Sequence, residues 1–186
     1  MGAAGAALAK ALGAFVQLAV PGVDVLDRRH VATLLDGGSW AEQEVEAVRQ
    51  PFFGAFMGES VMVFDRHAHT ELCDLLGYSP DSNVAERQEA LLDMANVVIG
   101  ACVNGIAEPL NEVISFAPPV RLGGRSDIRG FLSGDQASLS HGLVVNVDFK
   151  LEARAFLSRV LVFLPEHSIL NIDQALTRLL DGLAPG

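Results

Sequence analysis

Three polar residues at helical spacing, Glu89, Asp93 and Asn96, are the residues of this chain best suited to chemistry. They fall at positions i, i+4 and i+7, which stack on one face of an α-helix. No lysine or arginine stands three or four residues away to pair with either carboxylate. Like charges at this spacing destabilise a helix by roughly 0.2–0.5 kcal/mol. An exposed carboxylate can pair with a cation across an interface, and a neutral amide can orient a water molecule.

The helix that must position these residues is predicted from about 82 to 108. A cluster of turn and capping residues at 79–82 marks its start, and Pro109 interrupts its end. Apolar side chains recur with the helical period and form one stripe, which comprises Leu91, Leu92, Ala95, Val98, Ile99, Cys102 and Ile106. Because Cys102 lies on this stripe, we expect a core residue rather than a reactive thiol. The polar face is either a functional surface or simply solvated.

The composition is that of a globular domain, with 50% hydrophobic and 19% charged residues. We expect one domain over 1–186, since this length can bury a sizeable core. The net charge of −10 argues against nucleic acid as a partner, because its phosphates would be repelled. Two cysteines and five scattered histidines predict neither a disulfide framework nor a metal site. With no signal peptide or transmembrane helix predicted, we expect a cytoplasmic protein without membrane contact.

The sequence predicts the order helix, strand, hairpin, helix twice. The first half contains a helix at 1–13, a strand at 15–20, a capping box at 39–42 that begins a short connecting helix up to 49, strands at 52–57 and 61–64 with a turn at 58–60, and a helix at 68–76. The second half contains the long helix, a strand at 113–117, a loop at 121–135, a hairpin of 143–151 and 155–164, and a final helix at 168–183.

This doubled order predicts an internal duplication, with pseudo-repeats of about 1–78 and 79–186. Segment 1–21 aligns with 99–119, so that Gly2 matches Gly100 and Pro21 matches Pro119. Segment 61–64 aligns with 160–163. Two halves with three strands each would join into a single antiparallel sheet of about six strands, with long helices packed on it. The predicted fold class is therefore α+β.

The helix motif and the doubled layout together resemble the CheC/CheX/FliY phosphatases of bacterial chemotaxis, and the chain is most like CheC. The family motif is Asp or Ser, three residues, Glu, two residues, Asn, and then a more distant Pro. Here Glu89 and Asp93 hold the two acidic positions, and 22 residues separate Asn96 from Pro119. The resemblance spans nearly the whole chain. Asp93 is one methylene shorter than the family Glu, and Glu89 is longer than the family Asp or Ser.

The resemblance implies that the protein dephosphorylates the aspartyl phosphate of a CheY-type response regulator in two-component signalling. Asn96 would orient the attacking water, Asp93 would contact a lysine of the receiver, and Glu89 would hold the upstream acidic position. An aspartyl phosphate is already labile and the receiver carries its own Mg²⁺, so the enzyme would need no cofactor of its own. In the first repeat the counterpart of Asn96 would precede Met1, so we expect at most one such site in this chain.

We also expect a docking surface around the site, formed by Glu86, Gly100, Asn104 and Pro119. Asn104 extends the exposed face of the long helix, and the resemblance implies that Pro119 shapes the strand end near the site. The expected partner is a phosphorylated CheY-type receiver domain, with a CheD-like protein as a second candidate. The apolar opening helix further predicts a homodimer. The alternative to a phosphatase is a non-catalytic receiver-binding or regulatory module of the same fold, because both acidic positions depart from the family pattern.

Overall fold

The structure, a computed structural model, describes residues 16–27, 45–65, 83–133, 141–151 and 158–183. The predicted helices at 1–13 and 68–76 lie outside the described residues. So do the predicted capping box at 39–42 and the first part of the connecting helix. The fold that follows is therefore that of the described part of the chain.

The described strands form one antiparallel sheet. They are β1 (Val16–Asp27), β2 (Val45–Gly54), β3 (Gly58–Asp65), β4 (Ile114–Phe116), β5 (Val120–Leu122), β6 (His141–Leu151) and β7 (Ser158–Phe163). Their order is β1-β6-β7-β3-β2-β4, and β5 also pairs with β2. The described part thus contains seven strands rather than about six. The extra strand arises because 117–119 interrupts the strand beside β2, where Pro118 and Pro119 have no N–H to donate.

The described helices are α1 (Val84–Ala107), α2 (Arg125–Ser133) and α3 (Glu166–Leu183), with a 3-10 turn at Glu108–Leu110 after α1. Helix α1 begins at a reciprocal capping box. The Asn83 side chain accepts the Glu86 N–H at 3.1 Å, and the Glu86 carboxylate accepts the Asn83 N–H at 3.0 Å. The mixed α+β fold class, the long helix and the final helix are confirmed.

The core lies mainly between α1 and one face of the sheet. The buried face of α1 packs on strands β2, β3 and β7 through Val48, Phe52, Met62, Phe64, Leu91, Met94, Val98, Ile99, Val160 and Val162. Ile169 and Ile172 of α3 pack against the same cluster. Helix α1 with its 3-10 turn is long and apolar enough to span a membrane by length and composition alone. Its apolar face is instead packed on the sheet, as in the core helix of a globular domain.

Residues 45–49, which the sequence assigned to a connecting helix, are the first half of β2. The polar residues that favoured the helix are paired with neighbouring strands. Arg49 forms a bidentate ion pair with Glu59 of β3, and Arg121 of β5 lies 3.3 Å from Glu46. The predicted turn at 58–60 is also wrong, because β2 ends at Gly54 and β3 begins at Gly58. The hairpin therefore turns at 55–57.

The predicted loop at 121–135 is wrong as well, since it contains β5 and α2. Ile128 of α2 is fully buried on the second face of the sheet, beside Val61, Val63, Leu161 and Phe163. The segment 121–135 contains several glycines and arginines, and this composition favoured a loop over a short helix. The strand predicted to end at residue 20 continues through Pro21 as β1, whose pairing with β6 shifts register between Ala19 and Gly22. Such irregularities accommodate a proline in an edge strand.

The strand order fits the predicted duplication. Exchanging β1 with β4, β2 with β6 and β3 with β7 gives the same strand order, taken from the opposite edge of the sheet. At the centre, the pairs Met62–Val160 and Val61–Leu161 exchange when each residue is replaced by its repeat counterpart. The helices of the first repeat lie outside the described residues. The duplication as a whole, the repeat boundaries and the single domain over 1–186 therefore stay predictions.

Candidate functional site

The polar residues of α1 lie together on its exposed face. Glu89, Asp93 and Asn96 are exposed, whereas Leu91 and Met94 on the same helix are buried. Within the part of the chain that the structure describes, neither Glu89 nor Asp93 forms an ion pair. Both carboxylates are thus available to a partner.

Asn96 differs from its two acidic neighbours because its side chain is anchored to the sheet. Gln50 of β2 is 1% exposed, and its Nε2 donates to Asn96 Oδ1 at 2.7 Å. The same Nε2 donates to the backbone oxygen of Ala117 at 3.1 Å. One buried amide nitrogen therefore connects the helix, β2 and the strand end that leads to Pro119.

Asn96 and the segment before Pro119 are far apart in the sequence, but both contact Gln50 in the fold. After α1 the chain turns at Glu108–Leu110 and passes through Asn111, whose φ of 59° lies in the left-handed region that asparagine tolerates. It then pairs as β4 with the end of β2, and the Ala117 N–H donates to the Pro51 oxygen at 3.0 Å. The structure thus brings the segment before the half-buried Pro119 next to Gln50, the residue that holds Asn96.

The other predicted docking residues have different surroundings. Glu86 is engaged in the capping box at the start of α1, so its carboxylate has a structural role. Gly100 and Asn104 are half-buried and continue the line of Asp93 and Asn96 along α1. A Cβ at Gly100 would meet no atom within 4 Å, so this surface is open. Glu86, Gly100 and Asn104 therefore stay predictions as docking residues, with Glu86 also holding the start of α1.

The described residues around the site bear on two further kinds of chemistry, that of a metal centre and that of a reactive thiol. Among the described residues, no group of three or more His, Cys, Asp or Glu side chains could hold a metal ion. Burial raises the pKa of the Cys102 thiol to about 12, because the thiolate would lose its hydration. Cys102 packs against the main core cluster, in agreement with its position on the apolar stripe. The polar groups that the site presents are one amide and two carboxylates.

Gln50 is the site residue that sequence reasoning missed. Its signal is a polar side chain at alternate spacing with the apolar residues Val48 and Phe52 in a strand. The assignment of 45–49 to a helix hid this alternation. A buried glutamine facing a core is uncommon, and it usually has a specific hydrogen-bond partner.

Solved structures of chemotaxis and flagellar proteins share this fold. Thermotoga maritima FliY has a TM-score of 0.68 and 19% identity, covering 96% of this chain and 90% of that chain. A chain of the CheX–CheY–BeF3–Mg complex from Borrelia burgdorferi has a TM-score of 0.53 and 16% identity, covering 88% and 94%. The FliM middle domain of Vibrio alginolyticus has a TM-score of 0.58 and 11% identity, covering 92% and 91%. No protein-family profile and no curated protein sequence matches the chain.

Proposed function

From the premise that this chain has the CheC/CheX/FliY fold, we propose that it hydrolyses the aspartyl phosphate of a CheY-type receiver domain. The observation that carries the proposal is the Asn96 side chain. It stands on the exposed face of α1, one turn after Asp93, and it is held by Gln50 at 2.7 Å. A catalytic amide needs such a fixed orientation, since a misplacement of about 1 Å can cost about 10²-fold in rate.

The proposed reaction asks little of the chain's own residues. A water oxygen attacks phosphorus in line, the bond between phosphorus and the receiver's aspartyl oxygen breaks, and inorganic phosphate leaves. Asn96 orients that water, as a glutamine does in GTPases. The receiver supplies the Mg²⁺ that neutralises the phosphoryl charge. Positioning and charge complementarity are then the whole contribution of this chain.

Asp93 and Glu89 are proposed to dock the receiver, with Asp93 pairing to its lysine. Both carboxylates are exposed and unpaired among the described residues. Gly100, Asn104 and the segment around Pro119 would complete the docking surface. The likeness to a chain of a CheX–CheY complex supports a receiver as the partner. A CheD-like partner, a homodimer and a cytoplasmic location remain predictions.

The second candidate function is a non-catalytic receiver-binding or regulatory module. The FliM middle domain has a TM-score of 0.58 with this chain, so a flagellar protein shares the fold as closely as a CheX complex does. Fold alone does not determine activity. The shorter Asp93 side chain also favours this candidate, because it reaches less far toward a partner's lysine.

The decay of a phosphorylated CheY-type receiver, followed with Mg²⁺ and increasing amounts of this protein, separates the two candidates. We expect the wild-type protein to accelerate decay and Asn96→Ala to lose the acceleration by on the order of 10²-fold while still binding the receiver. The matched control is Gln88→Ala, which deletes an amide from the same helix, and it should behave as the wild type.

Asp93→Asn in the same assay tests the docking role. Loss of an exposed charge pair should weaken receiver binding by about two- to fivefold, with the difference shrinking at high salt. Asp173→Asn on α3 makes the same charge change on another helix and should leave binding unaltered. Binding without acceleration by the wild-type protein would favour the non-catalytic module, and neither binding nor acceleration would refute both candidates.

A further inference from the structure

Gln50 is an amide buried on the face of β2 that packs against α1. It is 1% exposed and alternates with the core residues Val48 and Phe52. Its Nε2 uses both hydrogens, one for Ala117 and one for Asn96. Among the described residues, none hydrogen-bonds to its Oε1. A buried oxygen left in this state is unfavourable, so stability alone does not account for a glutamine here.

The backbone carbonyl of Ala117 sets the direction of both amides. A carbonyl oxygen can only accept, so the Gln50 side chain must face it with Nε2 rather than with Oε1. The second hydrogen on Nε2 then requires an acceptor at Asn96, which is Oδ1. Rotating either amide by half a turn would set two acceptors or two donors against each other. Asn96 is thereby left with Nδ2 as its free donor end.

We propose that Gln50 is a positioning residue that locks the exposed Asn96 amide with Nδ2 free toward the receiver. The inference rests on the proposed phosphatase function. With Oδ1 bound to Gln50, Asn96 keeps two N–H donors and one lone pair for the attacking water and the phosphoryl oxygens. The amide is oriented before the receiver arrives, so no rotational freedom is lost during the reaction.

The test compares Gln50→Met with the wild-type protein in the receiver assay at saturating protein. Methionine has a similar volume and cannot donate, so the fold should be kept. We expect the rate constant for dephosphorylation to fall about tenfold, while the receiver Kd and the midpoint of thermal unfolding are unchanged or improved. Ser60→Ala is the matched control, since Ser60 is buried and lies directly across from Gln50 in β3. It should leave the rate constant unchanged.

A double-mutant cycle separates positioning from a general structural effect. If Gln50 acts only through Asn96, adding Gln50→Met to Asn96→Ala should cause no further loss of rate. An unchanged rate constant in Gln50→Met would overturn the proposal. So would an equal loss in the presence and absence of the Asn96 side chain.

The contact is also measurable without a receiver, by NMR of the side-chain amides. In the wild-type protein the Gln50 Nε2 protons should exchange slowly with solvent and show an NOE to Asn96. In Gln50→Met the Asn96 side chain should gain rotational freedom, seen as a lower NMR order parameter of its Nδ2–H bonds. If no receiver is dephosphorylated, the function fails and this experiment alone decides the positioning. Equal Asn96 order parameters in the two proteins would then refute it.

Discussion

The exposed Asn96 side chain on α1 is oriented by a hydrogen bond from Gln50 on β2. Sequence spacing was sufficient to bring Glu89, Asp93 and Asn96 to one face, because helical periodicity is local. Sequence spacing could not predict the 2.7 Å hydrogen bond between Asn96 and Gln50, because these residues are far apart in the chain. The types of the reactive groups are thus readable from the sequence, while their orientation is a tertiary property.

At the same scale, Cys102 makes stability depend on pH in the alkaline range. Burial raises its pKa from 9.0 to about 12 in the folded protein. Above about pH 9 the unfolded chain loses this proton and the folded protein keeps it, so stability falls as pH rises toward 12. The slope contributed by this thiol is at most about 1.4 kcal/mol per pH unit.

We expect urea unfolding of Cys102→Ala to show a flatter decline between pH 9 and 11 than the wild-type protein. The difference between the two proteins removes the contributions of tyrosine and lysine, which titrate in both. The absolute stability of the variant will be lower because of lost packing, and only the slope is diagnostic. Parallel declines in the two proteins would contradict the buried thiol.

At the scale of elements, the junction of β2 and β4 depends on a glycine. Gly54 has a φ of 148° and pairs with Ile114, and a Cβ there would lie 2.4 Å from the Val113 oxygen. We expect Gly54→Ala to destabilise the protein by about 1–3 kcal/mol, measured by urea unfolding. The same substitution at Gly100, in the open interior of α1, should stabilise it by about 0.5–1 kcal/mol. Equal changes in the free energy of unfolding at Gly54 and Gly100 would refute the close approach of Gly54 to the Val113 oxygen.

The elements that sequence analysis predicted well are those with a long, one-sided pattern. Helix α1 shows its apolar stripe over many turns, and α3 and the β6–β7 hairpin have clear patterns too. Strand β2 was misread because its polar residues are satisfied by other strands, as in the Arg49–Glu59 pair. Helix α2 was missed because its burial rests on few residues, chiefly Ile128. Long-range pairing therefore explains the errors in both cases.

At the scale of the whole molecule, the two predicted halves exchange their first strands. Strand β1 pairs with β6 of the second half, while β4 and β5 pair with β2 of the first half. Strands β3 and β7 join at the centre. Neither half can complete its own part of the sheet, so the described sheet is a product of both.

This exchange predicts that the halves do not fold alone. Fragments 1–78 and 79–186, produced separately, should each lack a cooperative unfolding transition by circular dichroism. Mixing them should restore one, and the intact chain should unfold in a single step. Cooperative unfolding of isolated 79–186 would show that the second half is an independent unit.

The pairing of β1 with β6 also bears on how the chain is made. During synthesis from the N-terminus, β1 is released long before residues 141–151 exist. Until β6 has been synthesised, the backbone N–H and C=O groups of β1 lack their β6 partners, and such an unpaired strand is prone to incorrect pairing. Distant strand pairing also slows folding, because the loop must close first. Strand β6, the last but one of the described strands along the chain, therefore determines when β1 gains its partner in the described sheet.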